Sequence, residues 1–166
     1  MRLPVLLLMT TVLAFAGTGW AQESNSEAKA AFEQLKQLQG DWQAKDTKGK
    51  TERVTYRLVS NGSAVQETYT GSEGEMLTVY TLDGNRVLLT HYCIAHNQPR
   101  MEAKGLHDGV LDFRFLDATG LASADAGHMH DVSFHFVDAD HLQETWRFVE
   151  NGKEKMTENM ELARLR

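Results

Sequence analysis

The spacing of apolar and polar residues changes character twice along the chain. Residues 3–16 form an almost unbroken apolar run, relieved only by Thr10 and Thr11. From Glu27 to Gln39, Ala31, Phe32, Leu35 and Leu38 recur at helical spacing among Glu and Lys, which predicts a short helix ended by Gly40. Beyond Gly40 the period falls to two. Turn residues then arrive at short intervals: Thr47-Lys48-Gly49-Lys50, Asn61-Gly62, Gly71-Ser72-Glu73-Gly74, Asp83-Gly84-Asn85, His107-Asp108-Gly109, Asp138-Ala139-Asp140 and Asn151-Gly152.

The runs between these turns predict strands at 41–47, 51–59, 63–70, 75–82, 86–94, 100–106, 110–117, 128–137, 141–149 and 154–165. About ten strands joined by tight hairpins, with no βαβ spacing, make a meander. The economical closure is an all-β, up-and-down antiparallel β-barrel, which removes both sheet edges. The one long connection, Asp117 to Gly127, is rich in Gly, Ala and Ser and is expected to form a rim or lid.

The apolar run at the start is preceded by Arg2 and followed by small residues ending at Ala21. That layout predicts a secretory signal peptide over 1–21, cut after Ala21. The alternative, a membrane anchor, needs about 20 apolar residues and the run is shorter. The expected organisation is a signal peptide (1–21), a polar N-terminus with a short helix (22–39) and a barrel (40–166). The exported chain, periplasmic or secreted, would have no membrane span. A net charge of −6 argues against nucleic acid and anionic membranes as partners. The single cysteine, Cys93, cannot form an internal disulfide, so stability must come from the core.

Alternation assigns the faces. Leu111, Phe113 and Phe115 are expected inside, as are His128, His130, Val132, Phe134 and Phe136. Leu142, Glu144, Trp146 and Phe148 form a third inward set, and Met156, Glu158, Met160, Leu162 and Arg164 a fourth. A three-residue hairpin with a glycine bulge at Asn151-Gly152 would set Trp146 opposite Met156 and Glu144 opposite Glu158. Met101, Met129, Met156 and Met160 are expected to pack the interior. His135 is expected to face solvent, and His107 and His141 to sit at turns.

Leu38-Gln39-Gly40-Asp41-Trp42 after a short helix, followed by a meander whose last strand carries Arg164, resembles the calycin superfamily of lipocalins, fatty-acid-binding proteins and nitrobindin-like barrels. The resemblance implies that the Trp42 indole packs against the Arg164 guanidinium. No second glycine pair follows Trp42, which departs from the nitrobindin-like pattern and weighs against haem. The segments 77–84, 89–93 and 97–101 also resemble a family of exported bacterial proteins of unknown function.

Two constellations carry candidate chemistry. His91 and Cys93 share one strand face, and His128 and His130 another; these are ligand types for zinc, copper or haem iron. Packing histidines satisfied by hydrogen bonds are the competing reading. Glu144 and Glu158 would either share a proton as an acid–base pair or join an ion-pair network with Arg53, Arg57, Arg114 or Arg164 that seals one end. Nucleophile-elbow, P-loop and dinucleotide-binding motifs are missing, which favours a binding protein over an enzyme. The expected function is an exported barrel holding a small, mainly apolar molecule against Phe113, Phe115, Phe134, Phe136, Trp146 and Met160. Its polar anchors would be His91, Cys93, His128, His130, Glu144 and Glu158. The alternatives are a metal or haem site using His91, Cys93, His128 and His130, or a fully packed structural barrel. The cofactor and the ligand's identity stay open.

Overall fold

The computed structural model describes residues 19–45 and 49–166, with side chains from Ser26 onward outside residues 46–48. The predicted signal peptide lies outside the described residues except for its last three, which begin helix α1 (Gly19–Lys36). The strands are β1 (Gly40–Lys45), β2 (Thr51–Val59), β3 (Ala64–Gly71), β4 (Gly74–Asp83), β5 (Arg86–Tyr92) and β6 (Gln98–Ala103). They continue as β7 (Leu106–His107), β8 (Val110–Thr119), β9 (His128–Phe136), β10 (His141–Glu150) and β11 (Lys153–Arg164). Each pairs antiparallel with its neighbour in the chain, except that β6 pairs with β8, to which the two-residue β7 is appended. Pairing of β1 with β11, Trp42 opposite Arg164, closes the ten remaining strands into the expected barrel.

The predicted strand at 100–106 is divided into β6 and β7. Gly105 lies between them against α1, where an added Cβ would come within 3.0 Å of Glu27 Cβ. α1 covers that end of the barrel with Ala28, Ala31, Phe32 and Leu35, all buried at the helical spacing that the sequence shows. It begins eight residues earlier than the expected Glu27 and ends at Lys36. Short bonds from Gln37, Leu38 and Gln39 back to the residues three before them tighten its last turn.

In a meander, successive turns alternate between the two ends. The turns at 60–63, 84–85, 104–109 and 137–140 lie at the helix end. Those at 72–73, 93–97, 120–127 and 151–152 lie at the opposite, open end. At the helix end the Arg164 guanidinium sits 4.2 Å from the centre of the Trp42 ring, as the resemblance implies. Arg164 also donates to the carbonyls of Gln39 (2.7 Å) and Gln37 (2.8 Å), and Trp42 Nε1 donates to Leu38 O (2.8 Å). Two side chains thus satisfy the carbonyls that follow the end of α1. Gly40 has φ 141°, and a Cβ there would lie 2.8 Å from the guanidinium, so only glycine fits.

The β10–β11 hairpin departs from the expected register. Asn151 (φ 54°) and Gly152 (φ 65°) both adopt left-handed backbone, the geometry of a two-residue turn closed by Glu150 and Lys153. Lys155 is then an extra residue, because Val149 pairs with Glu154 but Phe148 with Met156. Trp146 therefore faces Glu158, and Glu144 faces Met160. A slide of two residues preserves parity, so Glu158, Met160 and Leu162 keep the inward face. Met156 is carried to the rim, where it is 44% exposed rather than packed inside.

Candidate functional site

The middle of the barrel is filled. Trp42, Tyr56, Tyr80, Leu89, Met101, Leu111, Phe113, Phe134, Leu142 and Leu162 are all but inaccessible to solvent. Tyr80, Phe113 and Phe134 form a triangle with ring centres 5.8–5.9 Å apart. Phe113 and Phe134 therefore sit in the packed core, and among the described residues these side chains fill the middle of the barrel.

Above this plug lie buried carboxyl groups. Glu144 accepts from the Tyr56 hydroxyl and from Trp146 Nε1 (2.9 Å). Glu67 accepts from the Tyr80 hydroxyl, and Glu52 from Tyr69 (2.6 Å). No cation is paired with any of these carboxyls among the described residues. Arg57 binds Asp41, Arg114 lies by Asp112 and Asp131, Arg164 holds the end of α1, and Arg53 is exposed. The expected arginine seal is replaced by tyrosine and tryptophan donors. Burial raises the Glu144 carboxyl to about 7, and burial together with the Glu144 charge raises Glu67 well above the ordinary carboxylate range. Glu67, on β3, thus feels the Glu144 charge, and Glu158 in turn adds repulsion at Glu144. Glu158 lies nearer solvent, also raised by burial, with Glu52 and Glu73 adding repulsion.

At the open end these groups border a cavity lined by Glu67, Tyr69, Met76, His91, Met129, Trp146, Glu158 and Met160. It measures about 290 Å³ out to its mouth. The space open to the centre of a water molecule is about 20 Å³, room for one or two waters. His91 on β5 stands in its wall, tilted against Trp146 from the opposite wall with ring centres 5.0 Å apart. Its Nδ1 lies 3.0 Å from the Thr78 hydroxyl. Its Nε2 is sealed from solvent and has no hydrogen-bond partner. Burial lowers the imidazole to about 4, so at neutral pH the ring is uncharged.

The other histidines go elsewhere. A bulge on β9 leaves His130 unpaired, since Arg147 pairs with Asp131 and Phe148 with Met129. The extra residue breaks the alternation on which His128 and His130 were assigned to the interior lining, and places Met129 in the cavity wall instead. His130 stacks on Phe115 with ring centres 4.6 Å apart, and His128 is tilted against it at 4.7 Å. Their rings are linked by His128 Nε2 and His130 Nδ1 at 3.0 Å, and His128 Nδ1 lies 2.8 Å from Ala126 O in the 120–127 loop. That loop is pinned by Asn97 Nδ2 donating to Gly127 O (2.8 Å) and Asn151 N donating to Asp125 O (2.9 Å). The half-buried Cys93 is outside the cavity lining, its thiol pushed up by burial. Phe136 lies at the helix end, by Leu38 and Arg164. His91, Cys93, His128 and His130 are thus not brought together. No group of three or more His, Cys, Asp and Glu side chains converges on a metal-sized site among the described residues.

Of the expected ligand-binding residues, the cavity gathers His91, Trp146, Glu158 and Met160. Glu67, Tyr69 and Met76 escaped the sequence reading, whereas Met129 is one of the methionines expected inside. Alternation along Val65-Glu67-Tyr69 and Met76-Thr78-Tyr80 carries the signal for the three.

No protein-family model and no curated protein matches the chain. Among solved structures it is similar to a protein of unknown function from the DUF3598 family of Nostoc punctiforme, with a TM-score of 0.54 at 13% identity. The match covers 79% of this chain and 49% of that one, so the chain spans about half the length of that neighbour. At this identity the likeness concerns the fold alone.

Proposed function

We propose that this protein is an exported, calycin-like binding barrel whose site is the small cavity at the open end. The observation that carries the reading is His91, a residue in the wall of a cavity with an open mouth, whose buried Nε2 has no partner. Leaving such an atom unsatisfied costs about 1–3 kcal/mol, which a guest's polar atom or a trapped water recovers. Met76, Met129, Met160 and Trp146 supply the apolar and adaptable part of the wall. The filled centre restricts the guest to a small molecule seated from the mouth, not a long chain threaded through the barrel. The Trp42–Arg164 closure supports the calycin relation, and the apolar run before Ala21 supports export.

Ligand-observed NMR against small alcohols, amines and azoles tests the reading. Binding is expected in the wild type and is expected to vanish when Met160→Trp fills the cavity. A panel without binders, or equal binding by the filled variant, would overturn it.

A further inference from the structure

We propose that this cavity is a binding site for a soft monovalent metal ion, copper(I), held by Nε2 of His91 and the thioether sulfurs of Met76, Met129 and Met160. The inference rests on the cavity being the protein's binding site and names the class of its guest. Met76 and His91 stand on adjacent strands, β4 and β5, where Thr78 pairs with His91. Met129 and Met160 come from β9 and β11 on the other side of the barrel, flanking β10, which carries Trp146. Four residues from two walls therefore converge on one space, which local sequence spacing cannot produce.

The donor set decides the chemistry. Thioethers are soft, neutral donors that select copper(I), whereas magnesium and calcium demand oxygen and structural zinc takes thiolate or imidazole. A methionine in a fully dry core is adequately explained as filler. Here three methionines line the same cavity as His91, whose Nε2 lacks a partner and is sealed from solvent. The Nδ1 contact with Thr78 orients the ring and leaves Nε2 as the ring nitrogen without a partner; with the Nδ1 proton donated to Thr78, Nε2 would be the ligating atom, as outer hydrogen bonds fix a ligating histidine. Space for one or two waters suits an ion better than an organic molecule. The Trp146 ring beside His91 offers a cation an electron-rich face, and Glu67 and Glu158 line the same space with oxygen. Arginine and lysine are absent from this lining.

The test is anaerobic competition with bicinchoninate for copper(I), carried out in a Cys93→Ser background so that the thiol cannot answer for the cavity. The expected result is retention of a single equivalent. Met129→Leu/Met160→Leu should weaken retention by more than about 100-fold, since outer-layer changes alone cost metal sites 10–100-fold. Leucine conserves volume, and a melting curve verifies that the fold is kept. Met101→Leu, a core methionine outside the cavity, should leave retention unchanged. Silver(I), a redox-inert probe, should shift the His91 Nε2 resonance in the Cys93→Ser protein and not in the double leucine variant. Failure to retain copper(I), or retention indifferent to the two leucines, would overturn the assignment. Zinc held with undiminished affinity after both leucine substitutions would also overturn it, by showing an oxygen–nitrogen site. If copper(I) is not retained while the NMR panel binds and Met160→Trp abolishes that binding, the metal falls and the cavity reading stands. If neither binds, both fall.

Discussion

The two ends of this barrel are built from the same strands and treat polar atoms in opposite ways. At the helix end, Trp42 and Arg164 satisfy the carbonyls after α1 and stack on each other, with Gly40 making room. At the open end, His91 Nε2 and Asn97 Oδ1 are buried without partners, and carboxyl groups are buried with no cation paired to them among the described residues. The three bulges, at Leu116, His130 and Lys155, also gather there. Bulges and unsatisfied polar groups are the departures from ideal sheet geometry that function exploits. One end therefore holds the fold together, and the other is where the proposed binding site lies.

The largest break in this contrast should come from Trp42→Ala, which removes a buried indole and the surface on which Arg164 lies. We expect a loss of about 3–5 kcal/mol in denaturant unfolding. A cost below 1 kcal/mol would deny the helix end its role.

Acid should act at the open end. The folded His91 resists protonation until about pH 4, whereas the unfolded ring takes a proton near 6.5. Stability is thus fully present above pH 6.5 and is lost as the pH falls toward 4, by about 3 kcal/mol for this one group. His91→Gln should flatten the acid limb of the stability–pH profile. Glu144 has the opposite sign: its folded pKa of about 7 exceeds the ordinary 4.5. Its contribution is present below pH 4.5 and is lost as the pH rises through about 7, so Glu144→Gln should flatten the fall in stability between about pH 4.5 and 7. A profile unchanged by either substitution would contradict the burial of that group.

A smaller effect is expected at Gly40. Alanine there must adopt φ near 141° and displace the guanidinium, at a cost of about 1–3 kcal/mol. The smallest belongs to the open end: Met160→Leu should cost less than about 1.5 kcal/mol, because volume is conserved. If Met160→Leu destabilised as much as Trp42→Ala, the two ends would not differ as described.

The fold was legible because its signals are local: the switch from helical to two-residue periodicity at Gly40 and the turn residues between strands. The Trp42–Arg164 contact was legible through the resemblance, on residues at the two ends of the barrel sequence. The site was legible only in part. Strict alternation placed His91, Trp146, Glu158 and Met160 correctly, since a two-residue register slide leaves faces unchanged. It failed at His130, where a single extra residue shifts the pattern, and nothing in the local sequence announces that bulge. It overlooked Glu67, which accepts from Tyr80 on the adjacent strand and feels the charge of Glu144 on β10, a strand far off in sequence.

The state of the His91 side chain tests the central claim most directly. Long-range proton–nitrogen NMR should show a neutral ring at every pH from 8 to 5, with an Nε2 resonance that moves when silver(I) fills the cavity. A ring that titrates near pH 6.5, with Nε2 indifferent to silver(I), would contradict the account.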